Sequence, residues 1–97
     1  MFRVNWTNKA LKELSAIVVF WNEHNGSQKY SKKLHSEIKQ AVKLLKQNPQ
    51  IGVRTDLLNV RRYGILTNFS LFYSIEEQTV NILSVWDNRR NPDELNL

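Results

Sequence analysis

Apolar and polar side chains alternate at the start of the chain and then change period. Phe2, Val4 and Trp6 share one face of an extended segment, which predicts a first strand over residues 2–6. Thr7 follows as a candidate N-cap. The next apolar residues recur at spacings of three and four: Ala10, Leu11, Leu14, Ile17, Val18 and Trp21. This spacing predicts an amphipathic helix that ends near Gly26, a residue suited to the left-handed position after a helix.

A second helix is predicted from Ser27, a candidate N-cap, to Asn48, where Pro49 ends it. Its apolar stripe has spacings of four, four, three and four and consists of Tyr30, Leu34, Ile38, Ala41 and Leu45. Two amphipathic helices joined by a short glycine-containing link are typical of an antiparallel helical hairpin.

Beyond Pro49 the period shortens to two, which is typical of strands. After a loop over residues 48–56, strands are predicted at 56–63, 65–75 and 79–87, with turns at Gly64 and at residues 76–78. The last strand alternates Val80, Ile82, Ser84 and Trp86 on one face. The predicted fold is therefore α+β in the order β-α-α-β-β-β. Its antiparallel meander packs against the N-terminal helical hairpin, and residues 1–97 form a single domain.

Composition restricts the cellular compartment and the cofactors that we expect for this domain. The absence of cysteine excludes disulfides and thiolate metal sites and favours a reducing cytosol. No long apolar run or leader pattern is present, so we expect a soluble cytoplasmic protein that binds no membrane. The acidic residues and the two histidines are not spaced as ligands, which predicts no metal, and the chain predicts no other cofactor.

The net charge of +5 is divided unevenly along the chain. Residues 1–48 hold all eight lysines, whereas the remainder holds five of the six arginines: Arg54, Arg61, Arg62, Arg89 and Arg90. We expect the meander to bring Arg61, Arg89 and Arg90 together across an open sheet face, in a groove for phosphate or an acidic peptide. Scattered surface arginines are the alternative, and Asp87 is expected to pair with Arg89 or Arg62.

Three segments carry a resemblance that covers nearly the whole chain. They are "NWTNKALKEL" with the helix ending in "LKQNP", then "RRYGILTNFSLFYSI", then "VNILSVWDNRRNP". Together they resemble the RelE/ParE superfamily of toxins from bacterial type II toxin–antitoxin modules. The most specific match is "VWDNRRNP", which is similar to the ending of many plasmid stabilisation proteins.

The resemblance implies a growth-arresting toxin neutralised by a cognate antitoxin in a hetero-oligomeric complex, with one of two targets. RelE-like members cut messenger RNA on the ribosome as metal-independent endoribonucleases (mRNA interferases), whereas ParE-like members poison DNA gyrase and are not nucleases. A third alternative is a toxin whose arginines only dock the antitoxin. The basic scaffold favours the RNA-binding nuclease, although Ser70 replaces an arginine common in the superfamily and no histidine or tyrosine lies near the C-terminus.

The resemblance also implies roles for individual residues. Arg61 and Arg89 align roughly with the phosphate-binding residues of the nucleases, and either Tyr73 or Tyr63 would stack on a base or orient a group. Arg61, Arg89 and Tyr73 are the expected catalytic residues. The residues expected to bind nucleic acid or antitoxin are Arg54, Arg62, Tyr63, Arg90, Lys43 and Lys46.

Overall fold

In the computed structural model, which describes residues 1–25 and 28–97, five strands and two α-helices pack as two layers. The helices are α1 (Asn8–Asn25) and α2 (Lys29–Gln47). The strands are β1 (Arg3–Trp6), β2 (Val53–Arg54), β3 (Val60–Ile65), β4 (Phe69–Glu76) and β5 (Thr79–Asp87), with 3₁₀ turns at Pro49–Ile51 and Pro92–Glu94. The predicted caps at Gly26 and Ser27 lie outside the described residues. Neither described helix is long and apolar enough to cross a membrane.

The α+β fold with its helical hairpin and meander is confirmed, but the sheet is mixed. Its strand order is β1-β5-β4-β3-β2; β3, β4 and β5 pair antiparallel, whereas β1 pairs parallel to β5. Alternation reports which face a side chain occupies and not the direction of the neighbouring strand. The parallel pair was therefore beyond what the sequence pattern could predict.

The segment between α2 and β4 departs most from prediction. Val53 and Arg54 form the short edge strand β2 inside the predicted loop. Leu58, predicted within a strand, lies in the following turn and is 88% exposed. Strand β3 also continues through Gly64, so the turn predicted there is wrong. The turn lies instead at residues 66–68 and begins with Leu66 at a positive φ of 54°.

The core lies between the helices and one face of the sheet. The predicted stripe of α2 is confirmed, because Leu34, Ile38, Ala41 and Leu45 are all buried. Helix α1 begins as predicted, since the Ala10 amide donates to Thr7 Oγ1 at 3.1 Å. Its stripe is shifted, however: Ala10 is fully buried whereas Leu11 is 46% exposed.

A β-bulge divides β5 into two halves. Tyr73 of β4 pairs with Ile82, but Phe72 pairs with Ser84, so Leu83 is the extra residue. A one-residue insertion exchanges the two faces of a strand. Val85 consequently joins the core beyond the bulge, and Trp86 lies on the opposite face, against the predicted alternation.

Candidate functional site

Tyr73 is fully buried and binds the loop that follows α2. Its hydroxyl donates to the Pro49 carbonyl at 2.6 Å and accepts from the Gly52 amide at 2.9 Å. A Cβ at Gly52 would collide with the Tyr73 ring, so the absence of a side chain there allows the close approach. Burial raises the pKa of Tyr73, and the Gly52 hydrogen bond opposes this only in part. The predicted stacking of Tyr73 on a base is wrong, because the ring has no accessible face.

Arg61 binds the same loop from the neighbouring strand. It lies directly opposite Tyr73 across the β3–β4 pair, on the face that the helices cover. Its Nη1 donates to the carbonyl of Gly52 at 2.9 Å and to that of Gln50 at 3.2 Å. Arg61 and Tyr73 therefore form a clamp on residues 49–52, which we call the loop clamp.

Arg89 makes an ion pair at the other end of the sheet. Its Nε and Nη2 reach Asp87 Oδ1 and Oδ2 at 3.0 and 2.8 Å, as a bidentate pair, which confirms the predicted pairing. Its guanidinium also lies 5.4 Å from the centre of the Trp21 ring. The hydrogen bonds from Arg89 are the main reason that the pKa of Asp87 lies below its ordinary value.

Arg61 and Arg89 do not converge, so the predicted groove is wrong. Arg61 pairs with Tyr73, whereas Asp87, next to the Arg89 segment, pairs with Phe69 at the start of β4. The four residues from Phe69 to Tyr73 correspond to roughly 13 Å of strand, and Arg89 lies beyond that. The prediction failed because β3 and β5 run in the same direction, which puts the start of one and the end of the other at opposite ends of the sheet.

The other predicted binding residues are spread over separate surfaces. Arg90 stacks on Trp86 at 4.5 Å and pairs with Glu94 at 3.4 Å. Tyr63 packs against the core. Lys43 is exposed on α2, with Lys46 half-buried one turn later, and Arg54 and Arg62 are exposed at the β2–β3 hairpin. These residues do not share one site.

An apolar surface on α1 is the feature that we did not predict. Val19 and Phe20 are 53% and 45% exposed. Beside them, a groove of about 250 Å³ runs between α1 and the end of β5, lined in part by Ile17, Trp21 and Val85. The sequence does carry a signal, since "AIVVFW" places apolar residues on every side of the helix, and a helix of that kind is normally covered.

The described part of the chain contains no group of side chains arranged to bind a metal ion. Among residues 1–25 and 28–97, no three His, Cys, Asp or Glu side chains are grouped to hold an ion. His24 stacks on Phe20 at 4.1 Å, and His35 is exposed on α2.

The Asp87–Arg89 pair predicts a pH dependence. In carboxyl NMR, Asp87 is expected to titrate below its ordinary pKa of roughly 3.9, and Arg89→Gln is expected to raise that pKa towards the ordinary value. Because the folded-state pKa is depressed, the pair stabilises the fold above the unfolded-state pKa and loses this effect as the pH falls through the folded-state pKa. Arg90→Gln is the control and should raise the pKa of Asp87 less. An ordinary Asp87 pKa in the unaltered chain would contradict the prediction.

Comparison with known proteins assigns the chain to a family. Residues 4–92 match the family described as ParE toxin of type II toxin-antitoxin system, parDE. No curated protein sequence matches the chain.

Solved structures agree with the family match. A chain of the chromosomal ParDE toxin–antitoxin system from P. aeruginosa is 26% identical, with a TM-score of 0.77, over 90% of this chain and 96% of that one. A YoeB/ParE toxin from Agrobacterium tumefaciens is 13% identical, with a TM-score of 0.64, over 89% and 98%. YafQ from E. coli BL21(DE3) is 9% identical, with a TM-score of 0.58, over 91% and 94%. The last two likenesses concern the fold alone.

Proposed function

Because this chain belongs to the ParE toxin family of type II toxin–antitoxin systems, we propose that it arrests growth by binding DNA gyrase, as a protein inhibitor and not as a nuclease. A cognate antitoxin neutralises it, as the ParDE pairing of the P. aeruginosa relative suggests. Such a target and such an antitoxin imply action in the cytoplasm.

The loop clamp is the observation that carries this choice. Metal-independent RNA cleavage needs groups that activate a 2′-hydroxyl, stabilise the phosphorane and protonate the leaving oxygen. Two of the three residues expected to do this, Arg61 and Tyr73, bind the backbone of residues 49–52 instead. The third, Arg89, is engaged by Asp87. A protein inhibitor needs none of these groups to reach a substrate.

The apolar surface of α1 supports a protein target. The cores of protein interfaces are enriched in aromatic residues and arginine and poor in other charges. Phe20 lines a groove together with Trp21 and Arg89, which supplies the aromatic residues and the arginine of such a core. Two carboxylates also line this groove, but Glu13 accepts a hydrogen bond from Ser84 and Asp87 is paired with Arg89. We therefore assign the contact with gyrase to the α1 surface, defined by Val19, Phe20 and the adjoining groove.

The test combines two assays on the purified chain. We expect it to inhibit ATP-dependent supercoiling of relaxed plasmid by purified gyrase. We expect no messenger RNA cuts by primer extension, with or without translating ribosomes. Cuts that appear only with ribosomes, together with unimpaired gyrase, would establish the RelE-like nuclease and overturn the proposal.

A matched pair of variants tests the assigned surface. Phe20→Ser is expected to weaken gyrase inhibition by about tenfold or more, because loss of a central aromatic contact typically costs above 1 kcal/mol. Leu44→Ser removes an equally exposed apolar residue on α2 and should leave inhibition unchanged; Phe20 and Leu44 are 45% and 46% exposed. Equal inhibition by both variants, with both folded by circular dichroism, would remove α1 from the contact.

A further inference from the structure

The β2–β3 hairpin, residues 53–62, forms a second surface distinct from α1, and we propose that it docks an acidic segment of the cognate antitoxin that also carries apolar side chains. This inference rests on the proposed function only in taking the chain to be a neutralised toxin. The antitoxin would then bind to the hairpin, whereas the target would bind to the α1 surface.

The β2–β3 hairpin carries positive charge that no acidic side chain of the described residues neutralises, which is the first reason to expect an acidic partner there. Within residues 1–25 and 28–97, the side chains of Arg54 and Arg62 make no hydrogen bond or ion pair, whereas Arg89 and Arg90 are both paired with carboxylates. Asp56 is the one acidic residue of the hairpin, against three arginines. The hairpin therefore attracts an anionic partner more strongly than the arginines at the end of β5 do.

The register of the hairpin concentrates this charge. Arg54 lies directly opposite Arg61, so two guanidinium groups share one face of adjacent strands. Like charges in that arrangement repel each other and destabilise the pair. Nη1 of Arg61 is directed to the carbonyls of residues 50 and 52, which holds its side chain in place. A carboxylate bound between Arg54 and Arg61 would replace repulsion by attraction.

The hairpin also exposes apolar side chains, which is the second reason to expect a protein segment there. Val53, Leu57 and Leu58 are 64%, 52% and 88% exposed within six residues of sequence. Leu57 and Leu58 line a depression of about 510 Å³, together with Val60 and Ile75. A phosphate backbone offers these side chains no apolar surface, whereas a protein segment does. The combination of arginines and aliphatic residues thus favours an acidic protein segment over nucleic acid.

The edge position of β2 suits an extended segment. β2 is one of the two edge strands of the sheet. The Thr55 amide donates to the Val60 carbonyl, so by alternation the backbone of Arg54 faces away from β3. An added strand could bond to this backbone while its side chains reach Arg54 on one face and Val53 on the other.

The experiment compares two double variants with the same change in charge. Arg54→Glu with Arg62→Glu is expected to weaken binding of the purified cognate antitoxin by roughly 100-fold or more, because it sets like charges against each other. Lys33→Glu with Lys39→Glu, on exposed positions of α2, should change affinity by less than about threefold. Added NaCl should weaken binding of the unaltered toxin more than binding of the arginine variant. Both variants should inhibit gyrase like the unaltered chain.

Other outcomes overturn the proposal. Equal antitoxin affinity of the two double variants, whether weakened or unchanged, would show that the hairpin arginines have no special role in antitoxin binding. Loss of gyrase inhibition with antitoxin affinity retained would assign the hairpin to the target. If the arginine variant does not fold, Leu58→Ser, at an 88% exposed position, takes its place, with about tenfold weaker antitoxin binding expected. Failure of the unaltered toxin to inhibit gyrase would refute the proposed function without affecting the antitoxin measurement.

Discussion

Leu34→Ala is expected to lower the free energy of unfolding by about 3–5 kcal/mol. Leu34 is a fully buried member of the α2 stripe, and the surrounding core would relax only partly into the space left by its side chain. A domain of this size typically has a total stability of roughly 5–15 kcal/mol, so this loss leaves a large unfolded fraction under mild denaturation. Urea unfolding followed by circular dichroism measures it.

The same helix offers the control for Leu34. Leu44→Ala makes an identical chemical change at a position that is 46% exposed, and we expect a loss below about 1 kcal/mol. Similar losses for the two variants would mean that α2 does not present the Leu34 stripe to the sheet. The pair therefore tests the face of the helix independently of its helical propensity, because both variants gain the same residue.

Tyr73→Phe is expected to lower the free energy of unfolding by about 2–4 kcal/mol. The change removes one hydroxyl and leaves two buried backbone groups, the Pro49 carbonyl and the Gly52 amide, without their partner. Gyrase inhibition by the folded molecules is expected to survive, because the hydroxyl is inaccessible and acts on the loop. The two measurements together separate a structural role from a catalytic one.

Alkaline pH provides a second readout for Tyr73. Its pKa is raised in the folded state, so the unfolded chain releases this proton first as the pH rises past roughly 10. The Tyr73 contribution to stability is full below the unfolded-state pKa and is lost as the pH rises through the folded-state pKa. Comparison with Tyr73→Phe isolates this loss from every other effect of alkaline pH on the chain. Unchanged stability and an unchanged alkaline profile in the variant would contradict the loop clamp.

The loop clamp shows which properties of a site can be predicted from individual residues and which cannot. Arg61 was selected as one of the arginines expected to bind an anion, and Tyr73 was selected from the resemblance to the superfamily. Their partners are the backbone atoms of residues 49–52, and a backbone carbonyl carries no sequence signature. The chemistry of the side chains was therefore predictable, and what they bind was not.

Sequence by itself determined the elements whose cause is local. The α2 stripe repeats at helical spacing, Thr7 can bond to the first turn of α1, and residues 79–87 alternate until the bulge, so each is visible within a few neighbouring residues. The similarity of three segments to the RelE/ParE superfamily was also visible there, and the family match confirms it.

Tertiary structure alone decided the features that depend on distant segments. The parallel pairing of β1 with β5, the bulge at Leu83 and the separation of Arg61 from Arg89 follow from strand direction and register, which side-chain alternation does not report. Exposure of Phe20 and Leu58 likewise depends on what the rest of the chain leaves uncovered. Local periodicity selects the elements, whereas the packing of all elements together decides which side chains meet and which remain free for a partner.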